Sequence, residues 1–251
     1  MENDERSKCE IQQKGISCLE LPHNTLSEHA IAAEFTEVCR SPVEGVFVVP
    51  SSKSKYVWNG VVFVKKGLFG GGIFRFCLLI PEEYPNTVVT PTIVFRKTIF
   101  HPLIDAKTKV LDLSLSFPDG WKSDKHSIRR VLTVLPRIFL SFEFRSDNYV
   151  NKLAALLYKE SRRKFADKVF EDVETSRAEV YSEILSDKDD KSSIKLLPWD
   201  NRTHEPVKSV MIDMEKGEEK SLIAICFAEK DRQKHGIDLL DLSVIVVHDC
   251  Q

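Results

Sequence analysis

Between Leu26 and Arg40 the apolar residues fall three and four apart, at Ala30, Ile31, Phe35 and Val38, which is the repeat of one face of an α-helix. Ser27 is placed to cap that helix. Ser41-Pro42 stops it, because proline has no amide donor and drives the preceding residue out of the helical region. The rhythm then changes to runs of Val, Phe and Tyr over Gly45–Val49, Lys55–Val64 and Ile73–Ile80. Breaks as short as Pro50-Ser51-Ser52 and Gly67–Gly72 predict an antiparallel meander. A fourth strand is expected over Thr92–Arg96, introduced by Pro91, a residue tolerated at the first position of a strand.

The stretch from Lys97 to Lys122 has no period, and a connection of that length in a compact domain is usually functional or descended from something functional. Helical spacing returns over Ser127–Phe142, where Ile128, Val131, Leu132, Leu135, Ile138 and Phe139 form a face wide enough to be buried. Pro136 falls inside it, and an interior proline costs ~3 kcal/mol, so a bend or break is expected there. From Asp147 to Leu185 the apolar positions Val150, Leu153, Leu157, Phe165, Val169, Val173, Val180 and Ile184 keep helical spacing, as one long helix or as two broken near Ser161. The run DKDDKSS after Ser186 reads as a solvated linker. Two later apolar runs, residues 221–230 and 237–247, either pack back on the domain or present a surface to a partner. The chain thus divides into a flexible segment 1–25, an α+β domain over 26–186 and an extension over 187–251.

Composition narrows the function classes. With 42% hydrophobic and 29% charged residues and a formal charge of −2, the chain is an ordinary globular protein. Lys and Arg alternate with Asp and Glu instead of forming a basic stripe, so no nucleic-acid partner is expected. The polar start, MENDERSKCEIQQKG, lacks the apolar core of a secretory leader, and no stretch approaches the ~20 apolar residues of a membrane span. A cytoplasmic location is expected. The six cysteines, Cys9, Cys18, Cys39, Cys77, Cys226 and Cys250, are far apart and read as free thiols. No C-x-x-C or H-x-x-x-H spacing is present, and neither a metal nor a cofactor is expected. Gly70–Gly72 lies between strands, where it makes a turn, not a phosphate-binding loop.

The landmarks Gly71-Gly72-Ile73-Phe74, Pro81-Glu82-Glu83-Tyr84-Pro85, Pro91-Thr92-Ile93-Val94-Phe95, His101-Pro102 and Trp121 occur in fixed order. In order and nearly in spacing they resemble the Gly-Gly-x-Phe, Pro-x-x-Tyr-Pro, Pro-x-x-x-Phe, His-Pro-Asn and Trp of ubiquitin-conjugating enzymes. The resemblance covers about Leu26 to Leu185 and implies their fold: an N-terminal helix, a four-stranded antiparallel meander, a crossover helix and C-terminal helices. Active members carry ubiquitin as a thioester on a cysteine about ten residues after that histidine. Counting without a gap puts Leu111 there, and aligning on Leu111-Asp112 puts Val110 there. Neither side chain can attack a carbonyl, and no cysteine occurs between Cys77 and Cys226. The asparagine implied to steady the oxyanion is Leu103, which donates no hydrogen bond. Taken alone, Cys77 on its apolar strand reads as an inert core thiol. His101 is expected to hydrogen-bond the loop backbone instead of acting as a base, and Trp121 to pack.

Within the family, His101-Pro102-Leu103-Ile104-Asp105, Leu111-Asp112-Leu113 and Phe117-Pro118-Asp119-Gly120-Trp121 are most similar to the fused-toes group, as are Gly45–Pro50 and Trp58-x-Gly60-Val61-x-Phe63. That resemblance implies a catalytically inactive adaptor, with a Hook-family protein as partner in vesicle trafficking. Two alternatives stay open: a regulatory subunit that holds ubiquitin or an active conjugating enzyme through an exposed apolar surface on the sheet or first helix, and an enzyme with a displaced nucleophile. For an adaptor the expected docking surface is the C-terminal helical region, through Leu156, Leu157, Phe165, Val169, Phe170 and Val173. On that expectation, aspartate at Phe165 or Phe170 abolishes binding without unfolding the domain. The other candidate is Ile237–Val247.

Overall fold

The structure is a computed structural model and describes residues 23–140, 149–181, 192, 194–198, 200–202, 204–206 and 244–247. Helix α1 spans His23–Arg40 and so begins three residues before Leu26. Ser27 is not its cap. The hydroxyl is fully buried and donates to the carbonyl of Tyr84 at 2.6 Å, so a bond across 57 residues has drawn the serine into the helix. Ile31 and Val38 are buried in the core, with Ala30 and Phe35 packed at its edge.

Strands β1 (Val46–Pro50), β2 (Val57–Phe63), β3 (Ile73–Leu79) and β4 (Thr92–Phe95) form one antiparallel sheet in chain order. The meander follows from the short turns. Val48 stands opposite Gly60, Gly60 opposite Phe76, and Phe76 opposite Phe95. Val46, Trp58, Val62, Phe74, Phe76, Leu78, Ile93 and Phe95 alternate onto the face that carries the main core. Gly60 is required in that row: a Cβ there would stand 2.3 Å from the Phe76 ring, so only glycine lets the ring lie across β2.

The crossover is two short helices, α2 (Ile128–Leu132) and α3 (Val134–Leu140). The break expected at Pro136 lies at Thr133, whose hydroxyl donates to the Arg130 carbonyl at 2.7 Å. Pro136 is the third residue of α3, in the first turn, where an amide has no helical acceptor to lose. Two helices follow, α4 (Lys152–Glu160) and α5 (Arg162–Ala178), divided at Ser161. Asn151 caps α4 by accepting from the Ala154 amide at 3.1 Å. Helix, meander, crossover and C-terminal helices together make the α+β architecture of the ubiquitin-conjugating fold.

Part of the sheet's other face is covered as well, while Phe47 and Leu79 on it stay exposed. Val61, Val180, Ile194 and Leu196 are buried together there, with Val49, Phe63 and Ile73 packed around them. Arg75 on β3 holds this cover by donating to the carbonyls of Val180, at 3.1 Å, and Ile194. Residues Lys195–Pro198 form β5, which pairs in parallel with β6, Val244–Val247. Residues 1–22, most of 182–193 and residues 207–243 lie outside the described region, including the run at 221–230 and most of Ile237–Val247.

Candidate functional site

The long connection after β4 folds back along that strand's edge. The Phe95 amide donates to Lys109 and the Leu111 amide to Ile93, both at 2.9 Å, while the Asp112 amide donates to Leu103 at 2.8 Å. These bonds bring His101–Leu103 beside Val110–Leu111, which is the juxtaposition the family's chemistry requires. Between them the Asp105 carboxylate closes a turn, accepting from the amides of Lys107 at 2.9 Å and Thr108 at 2.6 Å and from the Thr108 hydroxyl at 2.9 Å. Those donors hold its carboxyl below the usual range. A cleft of about 420 Å³ opens beside the loop, lined by Pro91, Val110, Leu111, Asp112, Leu113 and Phe117 among others.

The side chains at the decisive positions are spent on packing. Leu111 and Leu103 are buried in the main core, and Val110 is half-buried. Neither of the two candidate nucleophile positions offers a nucleophilic atom, and Leu103 offers no donor. Cys77, the nearest cysteine in the chain, is buried on β3 with its thiol 3.5 Å from the Asn59 side-chain oxygen. That oxygen also accepts from Arg96 at 3.1 Å. Cys77 pairs with Val94, and Val94 with Val110, so two strand spacings of roughly 5 Å each separate the thiol's strand position from the loop.

His101 is fully buried among Phe69, Phe139 and the loop backbone. Its Nδ1 accepts from the Leu103 amide at 3.1 Å and its Nε2 lies 3.1 Å from the Ile138 carbonyl. An imidazole that accepts on one nitrogen and donates on the other is neutral, and burial pushes its pKa down to about 4. This histidine joins the loop to α3. Because the folded pKa lies below the ordinary 6.5, the folded state resists a proton that the unfolded chain takes up. Its contribution is complete above about pH 6.5, where it amounts to about 3 kcal/mol at ~1.4 kcal/mol for each tenfold difference in proton affinity, and it drains away as the pH falls toward 4. Urea unfolding across this window should show that decline in the wild type and lack it in His101→Gln. Parallel pH profiles of the two would refute the assignment.

Trp121 is buried at the far end of the connection, with ring centroids 5.8 Å from Phe117, 5.4 Å from His126 and 6.5 Å from Tyr84. Tyr84 in turn donates to Glu34 of α1 at 2.6 Å, and the other oxygen of Glu34 accepts from the Ile128 amide at 2.9 Å. One carboxylate of the first helix thereby fixes both the Pro81–Pro85 turn and the start of α2. Nothing in the spacing of Glu34 announces this.

The C-terminal helices separate the expected binding residues. Phe165, Val169 and Val173 are buried in the main core and Leu157 is half-buried, so they attach the helices to the domain. Phe170 is 64% exposed and Leu156 48%. The expectation that Phe165 could take aspartate without unfolding is corrected on this ground. Val150 and Leu153, which keep the helical spacing but are not among the expected docking residues, are 43% and 58% exposed. For Leu153 the signal is legible in the sequence: apolar residues on α4 outnumber those one buried face can use. Arg75, an isolated cation in an apolar strand, is a further signal of the same kind.

Among the described residues no group of His, Cys, Asp and Glu could hold a metal ion, and no helix is long and apolar enough to cross a membrane.

Residues 30–173 match the family model for ubiquitin-conjugating enzyme. The chain is 33% identical over 189 residues to the protein crossbronx homolog of Culex quinquefasciatus, covering 74% of this chain and 80% of that one. It is 32% identical over 193 residues to the human AKT-interacting protein, covering 77% of this chain and 64% of that protein, or somewhat under two thirds of its length. A homolog of the same protein in Nematostella vectensis is 31% identical over 210 residues, 84% of this chain and 66% of its own.

Proposed function

Since the chain belongs to the ubiquitin-conjugating enzyme family and, within it, to the group of crossbronx and AKT-interacting protein, we propose that it is a non-catalytic member that works as a protein-binding adaptor. The observation that carries this reading is the loop itself: Leu103 stands where the resemblance puts the oxyanion donor, Val110 or Leu111 where it puts the nucleophile, and no cysteine lies between Cys77 and Cys226. The scaffold around the loop is kept while its chemistry is replaced by apolar packing, and such a domain serves as a surface. A relative named for interacting with AKT supports a protein partner. Following the fused-toes resemblance, we assign the adaptor to vesicle trafficking in the cytoplasm, with a Hook-family protein as partner. Cover on the outer sheet face weighs against ubiquitin held on that face, because Val61 is fully buried beneath Val180, Ile194 and Leu196.

Incubation with activating enzyme, ATP and ubiquitin tests the catalytic half of the proposal, and no reducible adduct is expected. A thiol-sensitive conjugate on the wild type would overturn it. Val110→Cys and Leu111→Cys are expected to give no discharge to free lysine, because Leu103 still leaves the oxyanion without a donor, a loss worth ~3 kcal/mol of transition-state stabilisation. Discharge by either variant would show that the loop keeps productive geometry. Binding of the purified chain to a purified Hook-family protein tests the adaptor half, and absence of a complex at micromolar concentrations would reject that partner.

A further inference from the structure

Helix α4 is anchored on one side and carries leucine on the other. Ala154 and Ala155 are buried in the core and Leu157 and Tyr158 pack against it, so that side docks the helix on the domain. The opposite side meets solvent. Lys152, Leu156 and Glu160 stand in a row there, each about one turn from the next, with Leu153 beside them. All four are exposed, Leu153 by 58% and Leu156 by 48%, so neither leucine serves the core. Among the described residues the side chains of Lys152 and Glu160 have no ion pair or hydrogen bond. They are also the first and last residues of α4, a cation at its positive end and an anion at its negative end, which is the wrong way round for a helix standing alone. Lys159, one residue off the row and engaged in an interaction of its own, stands at the margin.

We infer that this side of α4 is a self-association surface, on which α4 of a second copy of the chain packs antiparallel about a two-fold axis at Leu156. The occupant is chosen by the order of charges along the row, which is complementary to itself. In this pairing Leu156 meets its own equivalent and the Leu153 side chains pack beside it, while each Lys152, four residues before the axis, comes level with the other copy's Glu160, four residues after it. Both charges are then matched twice by one and the same sequence. A parallel pairing would set like against like. The pairing also answers the reversed charges, because the positive end of each helix and its lysine receive the glutamate and the negative end of the other. Two helices of nine residues bury less than the ~1,200 Å² of a stable pairing, so the contact is weak and is populated where copies are already held close, with avidity adding to it. The inference does not depend on the adaptor reading.

The test is sedimentation of the full chain at low salt from ~5 to ~500 µM, where a contact of this size is expected to form and dissociate. The mean mass should rise with concentration from that of one chain toward that of two. Leu156→Asp sets two carboxylates against each other on the axis and should weaken the dimer roughly tenfold or more. Lys152→Glu and Glu160→Lys should each weaken it several-fold, and the chain carrying both should return to within roughly twofold of the wild type, because every charge again meets its opposite. These positions are exposed, so far-ultraviolet spectra should match the wild type, and if Leu156→Asp alone disturbs the helix the charge exchange still decides. A monomer at every concentration would overturn the inference. So would a dimer indifferent to Leu156→Asp, or one lost with Phe170→Asp instead, which would move the contact to α5. A double exchange no better than the single changes would overturn the antiparallel pairing, and with it the reason for choosing a second copy.

Discussion

Phe165→Asp is expected to unfold the domain. The ring is 2% exposed and packs against Tyr158 at 5.1 Å, Phe100 at 5.7 Å and Phe69 at 6.4 Å. Removing a buried aromatic costs ~3–5 kcal/mol, and leaving a carboxylate in its place adds several more or forces it to take up a proton. Together these approach the ~5–15 kcal/mol that holds a typical domain folded. The purified variant should show no cooperative urea transition at neutral pH, or should be recovered only as aggregate. Phe170→Asp, five residues along the same helix on an exposed side chain, should unfold within ~0.5 kcal/mol of the wild type. A folded Phe165→Asp protein with an unchanged midpoint would mean that α5 does not dock as described.

Trp121→Ala is expected to destabilise by ~3–5 kcal/mol, the usual range for truncating a buried indole. The ring closes an aromatic cluster with Phe117, His126 and Tyr84, and through Tyr84 it communicates with Glu34 and α1. Its Nε1 has no hydrogen-bond acceptor among the described residues. Trp121→Phe should therefore cost distinctly less than the alanine, since it removes volume without removing a hydrogen bond. Urea midpoints at constant m-value measure both. A Trp121→Ala midpoint equal to the wild type would mean that the ring lies at the surface, free to meet a partner.

The meander was legible because its turns are short and its alternation clean: each of the four expected strands is present, with ends shifted by no more than two residues. The break at Ser161 was also visible as a possibility. What stayed hidden was set by contacts distant in sequence. Ser27 reads as a cap until Tyr84 is placed over it, and Pro136 reads as a helix breaker until the chain turns at Thr133 and moves it into a first turn. At the site, the positions of Leu103, Val110 and Leu111 followed from family spacing, and their adjacency required only that the loop double back. The division of α5 into buried Phe165, Val169 and Val173 and exposed Phe170 did not follow, because helical spacing gives the faces of a helix but not which one meets the sheet. The second covered face of the sheet was masked in the same way: Val61 and Phe63 look like ordinary strand residues, and their partners come more than a hundred residues later.

That delay has a kinetic meaning. Arg75 reaches the Ile194 carbonyl across 119 residues and that of Val180 across 105, and the Ile73 amide reaches Ser176 across 103. Contacts this remote raise the contact order and slow folding, because loop-closure entropy must be overcome before the contact rewards it. During synthesis at ~5–20 residues per second, the strand bearing Arg75 precedes its cover by about 6–24 s. For that interval the nascent meander can form its hydrogen bonds, yet Val49, Val61, Phe63 and Ile73 have nothing to pack beneath. The outer sheet face is thus partly covered in the finished protein and a bare apolar surface in the unfinished one.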